Sequence, residues 1–535
     1  MLSTLIKKQF MELSTLFSMG KRRSKRGSAG GFVLTLALYV LIAFSLGASM
    51  ILLAWQLSDE LVGKGEDWKY FILLDILGLM LATLITMFNA DLTLFRAKDN
   101  ETLLSMPIPP GYILLARMTP LYIISLIFIC SVLVPEIAVY MISNGMSVPL
   151  IILNVLLTLG LAFLALGLSS VLGWLISLLN ARLKGNSVVT TIISLGFLGA
   201  YFFIYFQMNK FSAALVSHSS AIGDTIRKVL PPLYYLGQAH TGSISGVIIG
   251  FLTIAVIFGV IYFVLSRTFR GVVINASKGT SVKISRGVLR TGTQAQTLLK
   301  KEIKRFTAST SYMMNCGLGS VFMLVLAILA VIKKDDLLYI LDSLSGAIGP
   351  ASKYMAGILA LVIFLLVSTC YYTMPSISLE GKSIWILQSV PVDPMKVFMS
   401  KIKMEYILCA PGVLILSTVV AILTGMSFLS WAAAVIAGLA YTTFTAFYGL
   451  WINLKRPNLD WTNEAYPIKQ GLNPLFCLFG EWLLTLILGG VFLLVGWFIP
   501  VEAYLMIVTA TLLAVSYAIY RWLQTRGRAI FCYLQ

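Results

Sequence analysis

Windows of about twenty apolar residues, the length at which an α-helix crosses a bilayer, can be placed twelve times along this 535-residue chain. Nothing constrains the fold more. Hydrocarbon offers no partner to a backbone N–H or C=O, so each apolar run must satisfy its own peptide groups, as a helix does. The windows fall at about 31–55, 70–94, 113–141, 149–179, 187–207 and 244–266, then at about 313–332, 354–377, 401–424, 429–452, 475–498 and 501–520. With 58% hydrophobic and only 12% charged residues, against about a quarter charged in soluble domains, the chain is read as an all-α polytopic membrane protein. About twelve transmembrane helices are expected.

Those spans divide into two repeats. Ser105-Met106-Pro107-Ile108-Pro109-Pro110 returns 284 positions later as Ser389-Val390-Pro391-Val392-Asp393-Pro394. Thr4-Leu5-Ile6-Lys7-Lys8-Gln9 returns 293 positions later as Thr297-Leu298-Leu299-Lys300-Lys301-Glu302. The offsets differ by no more than a few loop insertions, so the chain reads as two six-helix halves fused head to tail. The expected divisions are a first half over 1–266, a basic linker over 267–296 rich in Ser, Thr and Gly, and a second half over 297–535. The repeated Thr-Leu-x-Lys-Lys segments read as amphipathic helices at the membrane surface, or as basic starts that enforce topology.

Charge orients the spans. Ten bases and one acid between Arg267 and Arg305 mark a cytoplasmic segment, whereas Asp59, Glu60, Glu66 and Asp67 mark an external loop. Seven bases against Glu12 in the first 26 residues place the N-terminus inside, with no removable leader expected. Twelve crossings return Arg521, Arg526 and Arg528 to the same side. The expected location is therefore the plasma membrane, multi-pass, with both termini cytoplasmic. The net charge of +18 is absorbed by these loops and does not call for nucleic acid. Segment 208–243, with Pro231-Pro232-Leu233-Tyr234-Tyr235, reads as short interfacial or re-entrant helices at the outer mouth. The six cysteines, without a CxxC pair, read as small core residues.

Each Ser-x-Pro-x-x-Pro phrase lies between the second and third spans of its half, on the cytoplasmic side. Proline cannot continue a helix but suits its first turn, so each phrase should end one short helix and start the next span. Exposed apolar side chains on such a helix make it a docking element. The candidate docking residues are Glu101, Leu103, Leu104, Ser105, Pro107 and Pro110 in the first half. In the second they are Glu380, Trp385, Leu387, Ser389, Pro391 and Pro394.

A basic interface helix, two spans, a short acidic-then-apolar loop ending in Ser-x-Pro-x-x-Pro, and four more spans resemble the membrane half of type-2 ATP-binding-cassette (ABC) exporters. The resemblance covers about 1–266 and 297–523. Asn453-Leu454-Lys455-Arg456-Pro457-Asn458-Leu459-Asp460-Trp461-Thr462-Asn463-Glu464 is similar to the loop between the fourth and fifth spans in a group of bacterial ABC exporter permeases. It adds Asp460, Trp461, Asn463 and Glu464 as a second cytoplasmic loop. The first half departs there, having only Asn180 to Asn186. The resemblance implies alternating access driven by separate cytoplasmic ATP-binding subunits, two copies, which would hold ATP and Mg. It also implies a pathway lined by spans two and five of each half. No ATPase site is expected on this chain: Gly381-Lys382-Ser383 mimics the end of a phosphate loop, but position 376 is Ser where Gly is required. The scarcity of buried charge points to an amphipathic or apolar substrate.

The rival reading is a proton-coupled secondary exporter, also built of two six-span halves. Intramembrane ionisable residues are where to look for it, and Asp75, Glu136, Glu405 and Glu481 are the candidates. Asp75 and Glu136 fall towards outer span ends, Glu405 stands four residues after Lys401 as an i,i+4 pair, and Glu481 reads as a helix–helix hydrogen bond. His218 and His240 are expected in the outer mouth, with no relay. A membrane-embedded enzyme would need facing His and carboxylate groups or a nucleophile–base pair, for which no spacing is evident.

Overall fold

The computed structural model describes residues 1–17, 47–95, 97, 99–182, 188–189, 191–196, 198–199, 203, 207, 226–277, 292–339, 351–461, 464–469, 471–496 and 498–534. The expected spans 31–55 and 187–207, His218, Asn463 and much of the basic linker lie wholly or partly outside them. The described residues are helices joined by turns, without strands. Two compact units divide the chain, Met1–Val282 and Lys283–Gln535.

The first unit contains α1 (Leu2–Phe17), α2 (47–61), α3 (Asp67–Ala90), α4 (Asn100–Ser105), α5 (Pro110–Asn144), α6 (Val148–Arg182), α7 (Pro231–His240) and α8 (Ile244–Ser277). Helix α3 packs against α5, α6 and α7, and α8 against α6 and α7. The amphipathic α1 lies on α5. Helix α8 continues to Ser277, so the boundary expected at 266 falls inside a helix. Arg267 and Arg270 are a helical extension of the last span rather than the start of a linker.

The second unit contains α9 (Gln294–Ala308), α10 (Thr310–Cys316), α11 (Leu318–Ile332), α12 (Ala351–Val367), α13 (Ile384–Ser389), α14 (Pro394–Thr424), α15 (Phe428–Lys455), α16 (Ala465–Lys469), α17 (Leu472–Val495) and α18 (Val501–Trp522). Helix α9 opens on a capping box: Thr293 accepts from the Gln296 N–H while Gln296 reaches back to the Thr293 N–H. It lies along α14 as α1 lies along α5.

Two expected spans of this half are broken. The span 313–332 is a pair, α10 and α11, bent by 58°. The span 354–377 ends at Val367, and 368–377 is a buried, non-helical segment. Pro375 lacks an N–H, and Ser368, Thr369, Thr373 and Ser376 offer competing local hydrogen bonds. Buried backbone groups then need partners, and neighbouring helices provide them. The Thr373 N–H donates to Glu405 Oε2 (2.9 Å) and the Ile377 and Ser378 N–H groups to Asn453 Oδ1 (2.8 and 3.0 Å). Tyr312 Oη donates to the Tyr372 carbonyl (2.5 Å). Gly319 makes the bend fit, since a Cβ there would stand 2.2 Å from the Leu366 carbonyl oxygen.

Among the described residues, eight helices are long and apolar enough to cross a bilayer, nine with the bent pair. Their buried faces form the core of each unit, while exposed apolar residues such as Leu252, Ile257, Leu486 and Leu494 suit a lipid surround.

Candidate functional site

The duplicated phrase folds the same way twice. Helices α4 and α13 are each six residues long and end in a serine whose hydroxyl donates to the carbonyl three residues back: Ser105 to Thr102 (2.8 Å), Ser389 to Ile386 (3.0 Å). Met106 and Val390 turn extended, and the Ile108 and Val392 N–H groups close tight turns onto Met106 and Val390 at 2.7 Å. Pro110 and Pro394 then occupy the first turn of α5 and α14, where a missing N–H costs nothing.

A clamped acid precedes each short helix. In the first half Asp99 accepts from Lys8 of α1 and from Arg117 Nη2 of α5. Burial works against its ionisation, and Arg117 and Lys8 more than offset this, holding the carboxyl below its ordinary 3.8. In the second half Glu380 Oε1 accepts from Lys301 (2.7 Å) and Lys401 (3.1 Å), and Oε2 from Arg305 Nη2 (2.5 Å). Lys401 Nζ also reaches Glu302 Oε1 (2.8 Å) and the Ser376 carbonyl (3.0 Å). The side chains of Lys401, Glu302 and Glu380 are 0%, 1% and 2% exposed. Burial again opposes the charge on Glu380; Lys401 and Arg305 win and hold it well below its ordinary 4.5. Burial, then Lys401, pulls the Lys301 ammonium below its usual value.

The two clamps are built from equivalent parts. Lys8 and Lys301 are related by the 293-residue offset, Arg117 and Lys401 by the 284-residue one. Each joins the surface helix, the turn and the long third-span helix of its own half. None of Arg117, Lys301, Arg305, Glu302 or Lys401 was singled out as a site residue by sequence reasoning, although the shared offset of Arg117 and Lys401 was available to find them.

Several expected docking residues sit elsewhere. Glu380 is a buried member of the clamp, not an exposed loop acid. Leu103 is buried and Leu104 half-buried in the first unit's core, and half-buried Leu387 packs on the second unit's core. Glu101 lies in α4. Ser105, Pro107, Ser389 and Pro391 are exposed, and Pro110 and Pro394 half-buried. The exposed apolar side chains of the turns are Trp385 (63%), Ile386 and Val390 in the second half and Met106 and Tyr112 in the first.

The second loop is mostly a strut. Trp461 Nε1 donates to the Ser378 carbonyl (2.7 Å) and lies against Gly381, whose φ of 55° favours glycine. Glu464 Oε2 accepts from Ser309 (2.7 Å), and Asp460 is exposed. Glu405 is not the i,i+4 partner of Lys401. It accepts from the Thr373 N–H and from Thr445 Oγ1 (3.0 Å), bracing the broken span. Glu481 accepts from Cys477 Sγ at 3.1 Å. All six cysteines are free thiols, four of them buried. His240, expected in the outer mouth, is fully buried beside Asp75.

No curated protein and no solved structure matches the chain. A family model described as a membrane protein of 12 TMs matches residues 31–521. The apolar helices and that match agree, and the chain belongs to this family of twelve-span membrane proteins.

Proposed function

We propose that this chain is the permease of an ABC-type exporter, in the plasma membrane with both termini cytoplasmic. It would move an amphipathic or apolar substrate by alternating access, powered by two separate ATP-binding subunits that hold the ATP and Mg. One observation carries the reading. Each half presents, between its second and third spans, a six-residue helix and a proline turn bearing exposed apolar side chains, anchored through an ionic clamp (half-exposed at Asp99, buried at Glu380) to a surface helix and a long span. A soluble motor subunit needs such a handle: apolar residues for binding and a rigid mount, so that a push on the turn moves a span.

The test is reconstitution. The purified chain alone should hydrolyse no ATP. With its cognate ATP-binding subunit in liposomes, hydrolysis should appear and depend on Trp385. Hydrolysis by the isolated chain would contradict the reading, and export driven by a proton gradient without nucleotide would establish the secondary-exporter alternative.

A further inference from the structure

The first half buries a cluster that the turns do not use. Asp75 of α3, Glu136 of α5 and His240 at the end of α7 are 3%, 0% and 0% exposed. His240 Nε2 faces Asp75 Oδ2 at 3.3 Å. Among the described residues, both oxygens of Asp75, both of Glu136, and His240 Nε2 lack a hydrogen-bond partner. Glu136 is near enough to Asp75 for the two charges to act on each other.

The hydrogens on this cluster follow from its neighbours. The Asn154 amide nitrogen donates to the Leu150 and His240 carbonyls (2.8 and 3.1 Å), which leaves Oδ1 as its acceptor. That oxygen lies 2.5 Å from His240 Nδ1, so Nδ1 carries a hydrogen. In a neutral imidazole Nε2 is then a lone pair, and it faces a carboxylate: two acceptors in contact with no hydrogen between them. Phe71 stacks on the ring at 4.7 Å and closes that side.

Among the described residues, no nearby cation relieves the two carboxylates. Lys69 pairs with Glu66, and Arg227 donates to Tyr234 Oη at 2.8 Å. Tyr70 donates to the Glu136 main-chain oxygen (2.9 Å) and Tyr140 to Asp67 (3.0 Å). Tyr235 is the remaining titratable residue on α7. Helix α6 and the first turns of α8 carry no titratable side chain in this region. Burying two unpaired negative charges is costly enough that such groups neutralise instead. At the positions 284 residues on from Asp75 and Glu136 stand Leu359 and Val420, both buried in the core. The cluster therefore belongs to the first half alone, and repeat architecture does not require it.

We propose that Asp75, His240 and Glu136 form a proton-binding site within the first half. One proton bridges His240 Nε2 and Asp75 Oδ2 as an imidazolium–carboxylate pair, and a second resides on Glu136, so the occupied cluster is neutral. Loss of the bridging proton to solvent leaves one net negative charge and restores the clash of acceptors. The site does not rest on the motor reading, because a proton can drive, gate or merely stabilise either kind of exporter.

The experiment uses the full chain in nanodiscs, with melting followed as a function of pH. A folded state that binds a proton the unfolded chain does not hold loses stability as pH rises. Wild type should show that fall, and Asp75→Asn should flatten it while melting normally, because an Asn N–H supplies the missing hydrogen to Nε2. Infrared spectra should show a protonated carboxylic acid at neutral pH that Glu136→Gln removes. An unchanged pH slope in Asp75→Asn, or no carboxylic-acid band lost in Glu136→Gln, would overturn the proposal. So would stabilisation by sodium over choline chloride that Asp75→Asn abolishes, which would assign the site to a metal cation. Should Glu136→Gln fail to fold, the slope of Asp75→Asn decides.

Discussion

Arg117 and Lys401 stand 284 positions apart, as Ser105 and Ser389 do, and each donates to the acid that precedes the short helix of its half. The pairing is therefore part of the repeat and not an accident of one loop. The halves differ in depth. Asp99 keeps 35% of its side chain in contact with solvent, whereas Glu380 keeps 2% and shares Lys401 with a second buried acid, Glu302.

That difference predicts unequal mutants. Lys401→Met leaves Glu302 and Glu380 without their shared central cation, and removing one member of a buried ionic group costs about 3–5 kcal/mol. Arg117→Met should cost distinctly less, since Asp99 retains Lys8 and water. Thermal unfolding in detergent measures both, and equal losses would refute the asymmetry.

The clamps also set an acid limit. Asp99 and Glu380 ionise more readily in the fold than their ordinary values of 3.8 and 4.5. Their contribution is therefore complete above those values and is lost as pH falls through the lower folded ones. Lys401→Met removes the main charge that depresses Glu380, so its acid-induced melting should begin at higher pH than in wild type. A pH series of melting temperatures below neutrality reads this directly.

Trp385 and Leu103 separate docking from packing. Trp385→Ala, at an exposed site, should change stability by no more than about 0.5 kcal/mol yet abolish coupling to an ATP-binding subunit. Leu103→Ala empties a core position and should cost about 2–5 kcal/mol. Paired stability and ATPase measurements check the contrast, and a Trp385→Ala protein that couples normally would remove the handle from the mechanism.

Asn453 holds the broken span. Its Oδ1 satisfies the Ile377 and Ser378 N–H groups and its amide donates to Ser378 Oγ at 2.7 Å. Asn453→Leu leaves two buried donors unmet, a cost of about 2 kcal/mol or more. Hydrogen exchange should accelerate in 368–383 before the rest of the second half.

Orientation is testable at exposed sites. Ser58, within the acidic region proposed to face outside, is buried against Ser143 Oγ at 2.8 Å and would report poorly. Lys64, between Gly63 and Gly65, is exposed. An impermeant maleimide added outside intact cells should label Lys64→Cys and miss Ser389→Cys. The reverse pattern would invert the topology.

Class, repeat and turn were legible in the chain because each rests on local chemistry. Twenty apolar residues demand a helix in lipid, and Pro110 and Pro394 demand helix starts whatever surrounds them. The clamp was half legible: Lys8, Lys301, Asp99 and Glu380 lie in or beside repeated motifs, but only packing of α1 on α5 and α9 on α14 brings Arg117 and Lys401 to the acids. Position along the chain misassigned Glu405 to Lys401, four residues away, because a helical spacing permits a contact without requiring one. The folded protein turns Glu405 to the Thr373 N–H, since an unmet buried donor in the broken span outweighs an optional ion pair. Likewise the burial of His240 beside Asp75 was not legible, because it depends on α7 packing against α3. Long-range burial decides which charges must find partners, and sequence distance carries no record of it.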